Sequence, residues 1–143
     1  MLAIVREPID VRVVEDAARA AGCGATVTFV GVVRASADDG RLVSGLVYES
    51  YDAMAVAEFE AIAREARERY GTARVAIVHR TGALDVGEIA VAVSVSADHR
   101  AQAFEACAYA IDALKARAPI WKKERYADGT PDRWRENAPE AHA

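Results

Sequence analysis

One segment narrows the possible folds more than any other. Ala25 to Val33, ATVTFVGVV, holds four valines, two threonines and a phenylalanine in nine residues. β-Branched and aromatic side chains at that density suit a largely buried strand, and the run is too short for a core helix. Arg74 to Arg80 and Ile89 to Ser96 are two more such runs, so the chain must build a sheet. The clearest helix lies between the first run and these two. From Ala53 to Tyr70, the residues Ala55, Phe59, Ile62, Ala66 and Tyr70 form an apolar stripe. Glu60–Arg64 and Glu65–Arg69 stand four apart on the wet side, and Gly71 is placed to cap the end.

The other elements fall around these. Leu2 to Val5 reads as an edge strand. Asp10 caps a helix from Val11 to Ala21, with Val14, Ala17, Ala18 and Ala21 on one face and Gly22 and Gly24 as stops. A polar loop from Arg34 to Arg41 contains Asp38-Asp39-Gly40. Leu42 to Tyr51 alternates and reads as the hairpin partner of the ATVTFVGVV strand. Gly82 and the turn Asp85-Val86-Gly87 separate the two later strands. Asp98 caps a second long helix from His99 to about Arg117, with Phe104, Cys107, Ala108, Ile111 and Leu114 inward, and Pro119 ends it. Ile120 to Trp134 reads as a short hairpin broken by Asp128-Gly129 and Pro131, and the last nine residues read as frayed. The order predicts an α+β fold with a mostly antiparallel or mixed sheet and three helices. One domain spans residues 1–143, with no repeat or linker to divide it.

Composition bounds the function. Eighteen basic residues against 22 acidic give a net charge of −4, which argues against a general polyanion binder. Neither a membrane span nor a secretory leader is recognisable. Two cysteines, Cys23 and Cys107, are too few for a disulfide framework and fit a reducing cytoplasm. The phosphate-loop, dinucleotide-binding and zinc-protease motifs are absent, and the three histidines and two cysteines show no metal-ligand spacing.

Four places carry possible chemistry. His99-Arg100 opens the last long helix, where free N–H groups and an arginine can share a phosphate; a plain surface dipeptide is the alternative. Lys115 falls at the end of the apolar stripe. Burial there depresses an amine and makes it reactive, or else the stem covers core while the head reaches water. From Lys115 to Arg125 there are five basic residues and one acid, interleaved with Trp121 and followed by Tyr126. In an acidic chain this suits a small anion pocket better than a long nucleic-acid track, and a solvated basic strand remains the plain account. Arg34 opens the loop after Gly31-Val32-Val33 and can reach a ligand. His79-Arg80 ends a strand and is given a structural role.

The same residues carry a family likeness. The stretches Phe29-Val30-Gly31-Val32-Val33-Arg34, Leu46 to Ala55 (LVYESYDAMA), His79 to Leu84 (HRTGAL), Gly87-Glu88, Ala97 to Phe104 (ADHRAQAF) and Leu114 to Glu124 (LKARAPIWKKE) resemble the large, catalytic subunits of molybdopterin synthase. The likeness runs in order from about residue 25 to residue 134. It implies an α/β hammerhead fold and a sulfurtransferase. Such an enzyme converts cyclic pyranopterin monophosphate (precursor Z) into molybdopterin by two sulfur transfers. The sulfur comes from the C-terminal thiocarboxylate of a ubiquitin-like small subunit. The resemblance further implies a homodimer at the centre of a heterotetramer, with no cofactor, no metal, no nucleic acid and no membrane. Carried over by motif, Lys115 and Lys122 look catalytic. Arg34, His99 and Arg100 look substrate-binding. The basic segment from Lys115 to Arg125, with Trp121 and Lys123, is expected to line the channel for the partner's anionic tail. A rival reading of another class is a non-catalytic anion- or nucleic-acid-binding module.

Overall fold

Strand β6 (Ile89–Ala97), buried at every position but its first, needs a hydrogen-bonded neighbour on each side. It has them in β2 (Ala25–Val32) and β4 (Arg74–Arg80), both antiparallel to it. β1 (Leu2–Val5) adds in parallel to β4 and completes a sheet of order β1-β4-β6-β2. A second four-stranded sheet, all antiparallel, has the order β5-β3-β7-β8 and is built from β3 (Val43–Ser50), β5 (Gly82–Asp85), β7 (Ile120–Tyr126) and β8 (Arg133–Glu136). The helices are α1 (Val11–Ala18), α2 (Asp52–Tyr70) and α3 (Arg100–Arg117). This computed structural model describes residues 1–72 and 74–137.

Alternation along β4 explains the layering. Val75 and Ile77 join the main core beneath α2 and α3, with Phe59, Ile62, Cys107 and Leu114. Ala76 and Val78 face the other way and meet α1 through Val14 and Ala18. Leu46, Tyr48, Leu84, Ile120 and Tyr126 bring the second sheet into the main core. Asp10 caps α1 by accepting from Arg12 N–H, and Gly71 closes α2 in the left-handed conformation, both as the sequence predicts.

Several expectations need correction. β2 and β3 are not a hairpin. The loop from Arg34 to Arg41 carries the chain from one sheet to the other, with the bridge Ser36–Leu42 inside the turn. β2 is not largely buried either, because it forms an edge, and Val30 and Val32 are exposed. α1 stops at Ala18: Arg19 turns extended and its carbonyl accepts from Arg74 Nη1 at 3.0 Å. His99, not Asp98, is the N-cap of α3, without a side-chain cap. Phe104 and Ala108 face solvent. The inward stripe is Ala103, Ala106, Cys107, Ala110, Ile111 and Leu114, whose small members let the helix lie close on the sheet. Glu65 turns to Arg117 of α3, 2.6 Å away, while Arg69 lies over the Tyr109 ring. Of the last nine residues, Arg135 and Glu136 belong to β8; residues 138–143 lie outside the described residues.

Candidate active site

A cavity of about 250 Å³ opens where the two sheets meet the C-terminal end of α3. Lys115, in the last turn of α3, enters it beside the buried Leu114. The negative end of the helix dipole favours an ammonium there. Lys122 enters from β7. Side chains alternate along a strand, so Ile120, Lys122, Glu124 and Tyr126 share the inner face. Burial pushes the Lys122 amine below the usual lysine range, and the Lys115 charge pushes it the same way. Arg34, just beyond β2, completes a set of three cations, its Nη2 lying 2.9 Å from Asp38 Oδ1 at the cavity rim.

Three further residues shape the cavity. Glu124 is 7% exposed, and its Oε1 forms an ion pair with Arg135, 3.0 Å from Nε. Its Oε2 has no hydrogen-bond partner. His79, on β4, is buried and sets its Nδ1 2.8 Å from the Arg80 carbonyl. A carbonyl only accepts, so Nδ1 carries the proton and Nε2 is bare. Burial, followed by the Lys115 charge, lowers this imidazole to about 4 and keeps it neutral. Tyr48 meets the His79 ring edge-on at 5.0 Å, and burial raises its phenol to about 12. Sequence reasoning missed Tyr48 and Glu124 and gave His79 only a structural role. The two-residue spacing of Glu124 from Lys122, and of Tyr48 from Leu46, places each on an inner face and was a usable signal.

Not every expected residue arrives. His99 and Arg100 are exposed at the far end of α3 and do not line the cavity. Fifteen residues separate Arg100 from Lys115, about 22 Å of helix at 1.5 Å per residue. Trp121 and Lys123 stand on the outer face of β7. Trp121 meets Tyr51 edge-on at 5.2 Å, and Lys123 Nζ lies 5.2 Å from the Trp134 ring centre. Lys122 thus points into the cavity, while these two lie on the opposite face of the strand.

The arrangement suits an anion. Three cations, Arg34, Lys115 and Lys122, share one cavity with the neutral His79 and Tyr48, and preorganised positive charge of this kind stabilises a bound anion. It holds no sulfur nucleophile: Cys107 is buried on α3 and burial raises its thiol to about 11. Among the described residues no three His, Cys, Asp or Glu gather as a metal site, and no helix is long and apolar enough to cross a membrane.

The model of the family described as MoaE protein matches residues 4–117, from within β1 to the end of α3. The chain belongs to the MoaE family. It is 47% identical over 129 residues to a molybdopterin synthase catalytic subunit of Oryza sativa subsp. indica, covering 90% of this chain and 65% of that protein. The chain thus spans slightly less than two thirds of the length of that rice relative. Among solved structures, molybdopterin synthase from Staphylococcus aureus superposes with a TM-score of 0.86 at 38% identity, covering 94% of this chain and 96% of that one. A complex of subunits 1 and 2 of the molybdopterin-converting factor from Helicobacter pylori matches with a TM-score of 0.71 at 26% identity, over 90% of each chain. In this MoaE chain Lys115 lies inside the region matched by the family model, whereas Lys122 lies beyond it.

Proposed function

We propose that this chain is the catalytic, sulfur-transferring subunit of a molybdopterin synthase. It converts precursor Z into molybdopterin by two transfers from the C-terminal thiocarboxylate of a ubiquitin-like small subunit. The observation that carries the reading is the convergence of Arg34, Lys115 and Lys122 on one cavity. Both reactants are anions, a phosphate ester and a thiocarboxylate. Arg34 offers the phosphate a bidentate fork. Lys115 and Lys122 meet the thiocarboxylate and stabilise the charge that moves as its sulfur attacks. The burial of Cys107 suits an enzyme whose sulfur arrives on a partner. A complex of two subunits among the structural neighbours supports such a partner.

The substrate-binding reading of His99 and Arg100 requires a second copy of the chain, since within one chain they stand a helix length from the cavity. A homodimer at the centre of a heterotetramer meets that need. Trp121 and Lys123, on the outer sheet face, then contact the body of the small subunit, and the tail follows Lys122. Purified chain mixed with thiocarboxylated small subunit and precursor Z should yield molybdopterin, and neither protein alone should. Turnover without the small subunit overturns the reading. So does salt-sensitive oligonucleotide binding with no turnover, which the rival binding module predicts.

A further inference from the structure

We propose that Asp38 is a built-in competitor at the cavity mouth: its carboxylate pairs with Arg34 and must be displaced when an anionic ligand binds there, so Asp38 weakens the site for anions. The inference rests on the anion-binding reading above. Its basis is a juxtaposition. Arg34 Nη2 and Asp38 Oδ1 are 2.9 Å apart, and both residues line the cavity that holds Lys115 and Lys122.

Two features make the contact more than a chance surface pair. First, the loop is braced. Ala37 N–H donates to the Arg41 carbonyl at 2.8 Å, Gly40 N–H to the Ala37 carbonyl at 3.0 Å, and Val43 N–H to the Ala35 carbonyl at 2.8 Å. Gly40 takes φ +85°, which closes the turn. The backbone that carries the Asp38 side chain is therefore held at the cavity mouth. Second, the two acids of the loop are sorted. Asp39 turns to Arg41 at 3.6 Å and to Arg135 at 3.7 Å, and only Asp38 faces the cavity. Arg34, and more distantly Lys122 and Arg135, hold the Asp38 carboxyl below its usual range. The competitor is thus ionised at every working pH.

The expected effect is modest. An exposed pair of this kind is closed roughly 1.5 to 5 times as often as it is open. A ligand that needs the open form binds weaker by one plus that ratio. Removing the competitor should tighten binding by about two- to sixfold.

The probe is inorganic phosphate at pH 8, titrated calorimetrically into the full chain. Asp38→Asn should bind it about two- to sixfold more tightly than wild type. Asp39→Asn removes the same charge one residue away and should change affinity by less than twofold. In an Arg34→Ala background the Asp38→Asn gain should vanish. Unchanged or weaker binding by Asp38→Asn, when wild type binds, overturns the proposal alone, because Asp38 then merely positions Arg34. An equal gain from Asp39→Asn also overturns it, by reducing the effect to net charge. Failure of wild type and variant alike to take up phosphate overturns the anion-cavity reading itself, and the proposal with it.

Discussion

Lys122 and Tyr48 stand directly opposite one another on β7 and β3, both on the cavity side of the second sheet. The buried phenol keeps its proton to about pH 12, so it gives the lysine a dipole and no countercharge. Burial, and then the Lys115 charge, make Lys122 easier to deprotonate than an ordinary lysine. Its charge is complete below its lowered pKa and is lost as pH rises through that value. Phosphate affinity should therefore fall on the alkaline side earlier than an exposed lysine allows. Lys122→Arg should carry binding to higher pH. Lys115→Gln removes a repelling charge and should move the Lys122 titration upward, as read by NMR of ¹³C-methylated lysines. An unmoved Lys122 would show that the two amines do not sense each other.

Lys115→Ala should fold normally and lose on the order of 10²–10³ in turnover, the usual cost of one preorganised charge. Lys115 is half-buried and lines a cavity, so its truncation leaves no large hole in the core and thermal unfolding should stay close to wild type. Turnover within a few-fold of wild type would remove Lys115 from the reacting centre.

The basic segment after α3 looked like one stripe in the sequence, yet period-two alternation divides it between two faces. Deleting the terminal Gly-Gly of the small subunit should weaken its complex with wild type. It should cost little more in Lys122→Glu, since both changes remove one interaction. In Lys123→Glu the same deletion should cost its full amount, because Lys123 lies over Trp134 on the outer face. Binding titrations at two salt concentrations measure both cycles. Additivity with Lys122→Glu would send the tail elsewhere.

Two buried or paired groups tie stability to pH in separate windows. Neutral His79 has its pKa lowered from 6.5 to about 4, so the unfolded chain binds a proton first. That contribution is present above pH 6.5 and is lost as pH falls to about 4, on the order of 3 kcal/mol in all. His79→Phe should flatten this limb of the denaturation curve. Glu65, held at about 2 by Arg117 and the Tyr109 hydroxyl, is stabilising above its usual 4.5 and loses that between 4.5 and 2. Arg117→Ala should cost about 1 kcal/mol at pH 7, after allowance for its exposure, and less at pH 3. Urea denaturation at stepped pH separates the two limbs.

The helices and most strands were legible because their patterns are local. The stripe from Ala55 to Ala66 predicts its own buried face, and Asp10 and Gly71 mark ends that the structure keeps. What the pattern hides is partnership. Leu42 to Tyr51 alternates whether its neighbour is β2 or β7, and sequence adjacency favoured the wrong one. The site shows the same division. Lys115 and Lys122 were legible from the family likeness and from one basic cluster. Tyr48, His79 and Glu124 come from three different strands, and it takes the pairing of β3 with β7 and the packing of their sheet against the sheet of β4 to bring them into one cavity. The separation of His99 from Lys115 follows from the straightness of α3, which a list of site residues does not express.

α3 ends at Arg117 and β7 begins at Ile120, so only Ala118 and Pro119 join them. Ala118 N–H donates to the Leu114 carbonyl at 2.9 Å and Ile120 N–H to the Ala118 carbonyl at 2.8 Å, which stiffens the link. The two lysines thus ride on one short strap, and their separation is a local property of the chain. A breathing motion that parts the sheets would leave the pair of amines intact and carry it as a unit. Lengthening the strap by a residue or two would retune the spacing of the amines without rebuilding either wall of the cavity.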